Sequence, residues 1–172
     1  MQLYVERGFV QTTVIEIAQR AGLTARTFFR YFADKREVLF AGSAALQEQV
    51  VSALEAAPAT ASPMAAVSAA LDAAAVALGQ DRAFSGRRQS VIEANAELRE
   101  RELIKMARLA GALADGLRRR GVPEPDASLA AQAGIVVLRV AFDRWVSEPP
   151  GGDLSQVMRE SLGRLRTVTA AA

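Results

Sequence analysis

The chain has 172 residues, 51% of them hydrophobic, enough for one domain with a sizeable core or a small module joined to a larger one. It has no cysteine and no histidine, which removes disulfides, thiol nucleophiles, histidine general bases and the usual zinc ligand sets. Net charge is +2, and residues 1–40 hold all of that excess, with six basic side chains against four acidic, while the remainder balances. A nucleic-acid footprint distributes charge this way. Alanine is abundant and strand-favouring runs are scarce, so the composition points to an all-α chain.

In chain order, residues 1–7 read as the end of a first helix with Leu3, Tyr4 and Phe9 turned to the core. Two turns are marginal on their own and must lean on packing. Thr13 with Glu16 three positions on has capping-box spacing. Ile17, Ala18 and Ala21 follow as an apolar stripe, and Gly22 supplies the left-handed residue that ends a helix. Thr24 caps a second short helix running to about Phe32. Two helices around a tight glycine turn make a helix-turn-helix at about 13–32.

On a wheel with Phe28 pointing inward, Phe32, Thr24, Ala25 and Tyr31 lie within roughly 60° of it. Arg26 and Arg30 take the opposite side, with Thr27 and Phe29 on the shoulders. An outward Arg26, Thr27 and Arg30 suit a DNA major groove, arginine forking toward guanine and threonine toward bases or phosphate.

The stretch GFVQTTVIEIAQRAGLTARTFFRYFADKREVL resembles the DNA-binding domain of the TetR family of bacterial transcriptional regulators. The residues that carry the resemblance are Gly8-Phe9, Thr12-Thr13, Ile17-Ala18, Ala21-Gly22-Leu23, Thr27, Tyr31-Phe32 and Lys35, over about a quarter of the chain. The resemblance implies an all-helical homodimer whose C-terminal domain binds a small effector that releases DNA. On this reading Arg26, Thr27 and Arg30 meet base edges or adjoining phosphates, Thr13, Phe29, Tyr31 and Lys35 position the DNA backbone, and Thr24 and Ala25 complete the DNA-binding set. Two departures stand out. The first helix is about three turns shorter than in the family, as in a truncated or unusually short member, and Phe29 replaces a frequent tyrosine, losing a hydroxyl for phosphate.

Beyond the head, Asp34 with Glu37 predicts a second capping box opening one long connecting helix to about Ala57, striped by Leu39, Leu46, Val50 and Leu54. PATASP, residues 58–63, breaks the chain, and Ser62-Pro63 starts a helix to about Leu78. Residues 79–86 read as another break before a short helix at about 87–94. Asn95 then caps a helix to Arg120, with Leu103, Met106, Ala110, Leu113 and Leu117 inward and Glu97–Arg101 as an outward i,i+4 pair. Arg118, Arg119 and Arg120 crowd its last turn, where cations favour the helix dipole. Residues 126–147 are apolar nearly all round, so this helix needs cover on several sides. Pro149 to Gly152 stops it, and Asp153 with Gln156 caps a last helix to about 170.

No phosphate loop, dinucleotide fingerprint, nucleophile elbow or calcium loop is present, and no apolar run approaches the ~20 residues that cross a bilayer. The expectation is therefore no enzyme, no cofactor, no metal, no membrane and a cytoplasmic location, on the nucleoid when DNA-bound. Within the body, Gln132, Arg139 and Asp143 fall on one side of helix 126–147. Gln132, Arg139, Phe142 and Met106 are the candidate effector contacts. The simpler and favoured reading pairs Arg139 with Asp143 at i,i+4 on an outer face. Trp145 and Phe142 read more naturally as core or dimer packing.

The expected architecture is all-α with about nine helices. It comprises a DNA-binding domain over 1–40, a connecting helix over 41–57 and an effector-binding and dimerisation domain over 58–172. The expected partners are a pseudo-palindromic duplex operator, an unknown small-molecule effector and a second copy joined through helices 126–147 and 153–170. The alternative is a helical ligand- or protein-binding module with a vestigial DNA head.

Overall fold

The computed structural model describes residues 1–148 and 152–170, so most of the expected stop at Pro149–Gly152, and the terminal Ala171 and Ala172, lie outside the described residues. The described chain is all-helical: α1 (Gln2–Arg7), α2 (Val14–Arg20), α3 (Ala25–Tyr31), a 3-10 turn (Lys35–Phe40), α4 (Ser43–Ala56), α5 (Pro63–Leu78), α6 (Arg82–Glu93), α7 (Ala96–Arg119), α8 (Asp126–Ser147) and α9 (Leu154–Thr169). Among the described residues no single helix is long and apolar enough to cross a membrane.

Local signals account for most of these boundaries. Thr13 and Glu16 close the capping box at the start of α2. Leu23 and Gly22 donate their N–H groups back to the Ala18 and Gln19 carbonyls, with Gly22 at φ +69°. That hydrogen-bond pair needs a left-handed residue, which glycine adopts without a Cβ clash. Ser62 accepts from the Ala65 N–H with Pro63 as the first helical residue, and Asp153 accepts from Gln156 N–H at 2.6 Å.

The body is a helical stack in which α5 packs on α4, α8 and α9, and α7 packs on α4 and α8. Leu54, Val67, Leu71, Leu113, Leu117, Leu138, Leu154 and Met158 are all buried in its core, each contributing about 1.5–3 kcal/mol relative to exposure. Gly134, in the middle of α8, is there for proximity. A Cβ at this position would sit 2.6 Å from Val67 Cγ1, so only glycine lets α5 and α8 cross this closely.

Three expectations about where elements begin and end are corrected. The connecting helix does not begin at Asp34: a 3-10 turn comes first, and α4 starts only at Ser43 after a break at Ala41–Gly42. The second capping box does not close, because Asp34 accepts from Arg36 N–H while Glu37 reaches Arg101 and Lys105 on α7. The break after α5 is shorter than expected, since Asp81 accepts from Phe84 N–H at 2.8 Å and starts α6 at Arg82. Gly86 lies inside that helix with open space around it.

On α7, Glu97 and Arg101 do not pair with each other. Glu97 meets Arg36 and Arg101 meets Glu37, so both charges serve the contact with the head. Two of the three clustered arginines likewise work on another helix: Arg119 pairs with Glu55, and Arg120 donates to the Glu55, Ala57 and Pro58 carbonyls at the end of α4, while Arg118 stays with Asp115 and Glu124.

Candidate functional site

The head is braced from both sides despite the short α1. Tyr4 and Phe9 are buried with Leu39 and Phe40, and this cluster is completed by Val91 and Ile92 of α6 and Leu98 of α7. The Tyr4 hydroxyl donates to the Lys35 carbonyl at 2.5 Å. Thr12, fully buried, donates its hydroxyl to Gly8 O at 2.8 Å. Arg7 pairs with Glu16 at 2.5 Å, while the Thr13 backbone N–H, first among several bonds, holds the Glu16 carboxyl below the usual range.

Upon this support α3 presents its outer face. Phe28 is buried against Phe32 and meets Phe29 edge-on at 5.5 Å. Phe29 itself is 57% exposed, and Arg26 and Arg30 are exposed beside it. Thr24 caps the helix, and its hydroxyl lies 3.0 Å from that of half-buried Thr27. Ala25 opens the helix half-buried, and Thr13 is exposed at the start of α2. Tyr31 departs from the wheel: it is 64% exposed, and its hydroxyl accepts from Arg30 while the guanidinium lies 4.8 Å above its ring.

Lys35 needs a larger correction. Its Nζ donates to the carbonyls of Phe9 at 2.7 Å, Val10 at 3.1 Å and Thr12 at 2.9 Å, over the Phe9 ring. Those bonds use all three ammonium donors, so the side chain ties the turn before α2 and is not held out toward a phosphate. Of the six basic side chains in residues 1–40, Arg7 and Arg36 are paired with carboxylates, Arg20 holds Gln2, and Lys35 caps carbonyls. Arg26 and Arg30 face outward with no carboxylate partner among the described residues.

Behind the head lies a cavity of about 1070 Å³. Its walls come from the 3-10 turn, the break at Ala41–Gly42, α4, the end of α5, α6, the first half of α7, and α8. Most of the lining is apolar, including Leu46, Val76, Phe84, Leu103, Met106 and Phe142. Three of the four anticipated effector residues line it: Met106, Arg139 and Phe142. Gln132 does not; it is exposed elsewhere on α8.

Arg139 and Asp143 both line the cavity, and among the described residues no ion pair joins them, against the reading of an i,i+4 bridge on an outer face. Burial, then the nearby Glu93 carboxylate, pushes the Asp143 carboxyl above its ordinary range, with Arg139 opposing. Leu103, expected in the core, is 55% exposed on the cavity wall. Phe142 touches Trp145, ring centroids 6.0 Å apart, and buried Trp145 donates Nε1–H to Gly152 O at 3.3 Å.

The sequence reading missed Arg88. It lines the cavity, its Nε donates to Leu39 O at 2.8 Å, and it meets Glu102 at 3.3 Å. Burial lowers its pKa, partly offset by Glu102. The signal was an arginine three and four residues before Val91 and Ile92, a cation on an apolar helix face.

Comparison with known proteins bears on both regions. The family model for bacterial regulatory proteins of the tetR family matches residues 1–41, and that for the MftR C-terminal domain matches 61–170, well over half the chain. The chain belongs to the TetR family.

Among TetR-family relatives, the HTH-type transcriptional regulator TcmR of Streptomyces glaucescens is 40% identical over 73 residues. That match takes in 42% of this chain and 32% of TcmR, about a third of its length. The TetR family regulator PfmR of Thermus thermophilus is 25% identical, with a TM-score of 0.57 over 99% of this chain and 96% of its own. FadR of the same organism, solved in complex with lauroyl-CoA, has a TM-score of 0.61 at 24% identity over 100% of this chain and 92% of its own. The last likeness shows a shared fold. The TetR-type all-helical architecture, a helix-turn-helix head on a helical C-terminal domain, is thus established for this chain.

Proposed function

We propose that this TetR-family protein is a transcriptional repressor that binds a pseudo-palindromic operator as a homodimer and releases it when the cavity fills. The observation that carries DNA binding is the pair of outward arginines on α3, Arg26 and Arg30, left without carboxylates while the head's other cations are engaged. Arg26, Thr27 and Arg30 meet base edges or adjoining phosphates. Thr13, Thr24, Ala25, Phe29 and Tyr31 position the backbone, and Lys35 acts from behind by bracing the turn.

Residues 1–40 form the reading head, 41–57 the link and 58–172 the body, a division supported by the matched regions 1–41 and 61–170. Homodimerisation through α8 and α9 is supported by a row of exposed apolar side chains on α8, Leu129, Val136 and Val140, with Gln132 in the same row. An effector with an apolar body suits the cavity lining, and the lauroyl-CoA complex of FadR supports this choice. A vestigial head is not favoured, since the short α1 is anchored by Tyr4, Phe9 and Thr12.

The test is fluorescence anisotropy with random-sequence duplex DNA at two salt concentrations. Affinity should fall steeply with salt as phosphate contacts release counterions. An absence of salt-dependent binding would overturn the proposal.

A further inference from the structure

The reading head is tied to the cavity wall through one short segment. The 3-10 turn Lys35–Phe40 is gripped at its first residue by the head. The Lys35 ammonium holds the carbonyls of Phe9, Val10 and Thr12, immediately before the α2 cap Thr13, and the Lys35 carbonyl takes the Tyr4 hydroxyl. At its far end the same turn is gripped by the cavity wall. Arg88 donates Nε–H to the Leu39 carbonyl at 2.8 Å, lies 5.1 Å over the Phe40 ring, and keeps its other edge 3.3 Å from Glu102. The chain breaks just beyond, at Ala41–Gly42, so the turn is not stiffened by continuation into α4.

We propose that Arg88 is the positioning residue through which the cavity sets the head, and that the occupant acting on it is an amphiphile with an anionic head group. This rests on the reading of the cavity as the effector site. The Leu39 carbonyl is a neutral acceptor, whereas an anion offers Arg88 a charge-assisted, planar, bidentate partner roughly twice as strong. An anionic group arriving beside α6 and α7 draws the guanidinium away from Leu39. The turn then loses its grip at one end, and Lys35 no longer holds the approach to α2 in register. The neighbouring brace survives this exchange, because Glu37 is held by Arg101 as well as by cavity-lining Lys105. Among the described residues, Arg88 alone holds the Leu39 carbonyl.

The experiment uses the full chain, a duplex selected by the wild-type protein from a random pool, and two probes with matched tails, sodium dodecanoate and dodecan-1-ol. Duplex affinity is read by anisotropy and cavity occupancy by Trp145 emission, Trp145 being in contact with the lining residue Phe142. In the wild type, saturating dodecanoate should weaken duplex binding roughly tenfold or more, within the usual range of coupling between sites, while dodecanol at equal occupancy changes it less than about twofold. In Arg88→Met, duplex affinity without any probe should already lie near that of the dodecanoate-saturated wild type, and dodecanoate should alter Trp145 emission without weakening that affinity further. The slope of log affinity against log salt should stay that of the wild type, because Arg88 touches no phosphate. Should Arg88→Met fail to fold, Arg88→Gln carries the same comparison.

The proposal is overturned if the variant keeps the wild-type response to dodecanoate, if dodecanol releases DNA as well as dodecanoate does, or if neither probe enters the cavity. A wild-type chain with no salt-dependent duplex binding overturns the DNA-binding reading first, and this inference with it.

Discussion

Arg30 and Lys35 sit five residues apart and do opposite kinds of work. Arg30 is exposed and stacked on Tyr31, which keeps its plane presented at little entropic cost. If it reads a guanine, Arg30→Ala should cost ~1–3 kcal/mol of operator affinity and relax preference at one position, seen by repeating selection from a random pool. Lys35 is a different case. The sequence placed it beside the recognition helix, and from there a phosphate contact was the natural expectation. Its three carbonyl acceptors come from a turn more than twenty residues earlier, a partnership that no local pattern displays. Lys35→Met should therefore destabilise the fold by about 1–3 kcal/mol, through the part-buried Phe9 and Thr12 carbonyls left unpaired, and weaken all DNA sequences alike. Its salt slope should stay near that of the wild type; a slope reduced by about one would restore the phosphate role.

At the scale of elements, most helix starts were legible where a short polar side chain and its backbone partner lie within one turn. Thr13, Thr24, Ser62 and Asp153 all cap as their sequences suggest, but the local cap at Asp81 was passed over and Asn95 turns its side chain to the Val91 carbonyl instead. The other misses came from partners far along the chain. Glu37 has the spacing to cap but is claimed by Arg101 and Lys105 on α7, and the helix expected from Asp34 begins eight residues late. Arg120 shows the same principle, since it completes the C-terminus of α4 and not of its own helix. Arg120→Ala should lower stability by about 1–3 kcal/mol, as three carbonyls lose a charged donor. Urea denaturation should show this, with DNA affinity per folded molecule unchanged.

For the whole molecule, the apolar excess on α8 and the missing histidines make two statements. Leu129, Val136 and Val140 are each at least half exposed in the single chain, so Val136→Glu disturbs little internal packing. It should leave secondary structure intact while shifting sedimentation toward the monomer. Operator affinity should fall with it, since two heads about 34–36 Å apart must act together.

With no histidine, no side chain of ordinary pKa titrates between about pH 6 and pH 9; burial lowers the pKa of the Met1 amine, so stability should rise only slightly across that span. Hydrogen bonds and arginine neighbours hold Glu16, Asp34 and Glu124 below their ordinary values. In acid the unfolded chain therefore binds more protons than the folded one. Their stabilisation is present above the ordinary carboxylate range and is lost as pH falls through the lowered folded values. Asp143 runs the other way: its raised folded value favours the fold while protonated, and that contribution is lost as pH rises through it. Denaturant midpoints measured between about pH 3 and pH 9 should show a plateau and a single acid decline.

The cluster of Tyr4, Phe9, Leu39, Phe40, Val91, Ile92 and Leu98 crosses the boundary that a modular view would draw near residue 40. Anyone exchanging this head for another, to build a biosensor with new DNA specificity, would leave Val91, Ile92 and Leu98 facing a surface shaped for a different guest. A transplantable cassette has to carry the elbow between α6 and α7 along with the first forty residues, so the unit of exchange is discontinuous in the gene although it is contiguous in space.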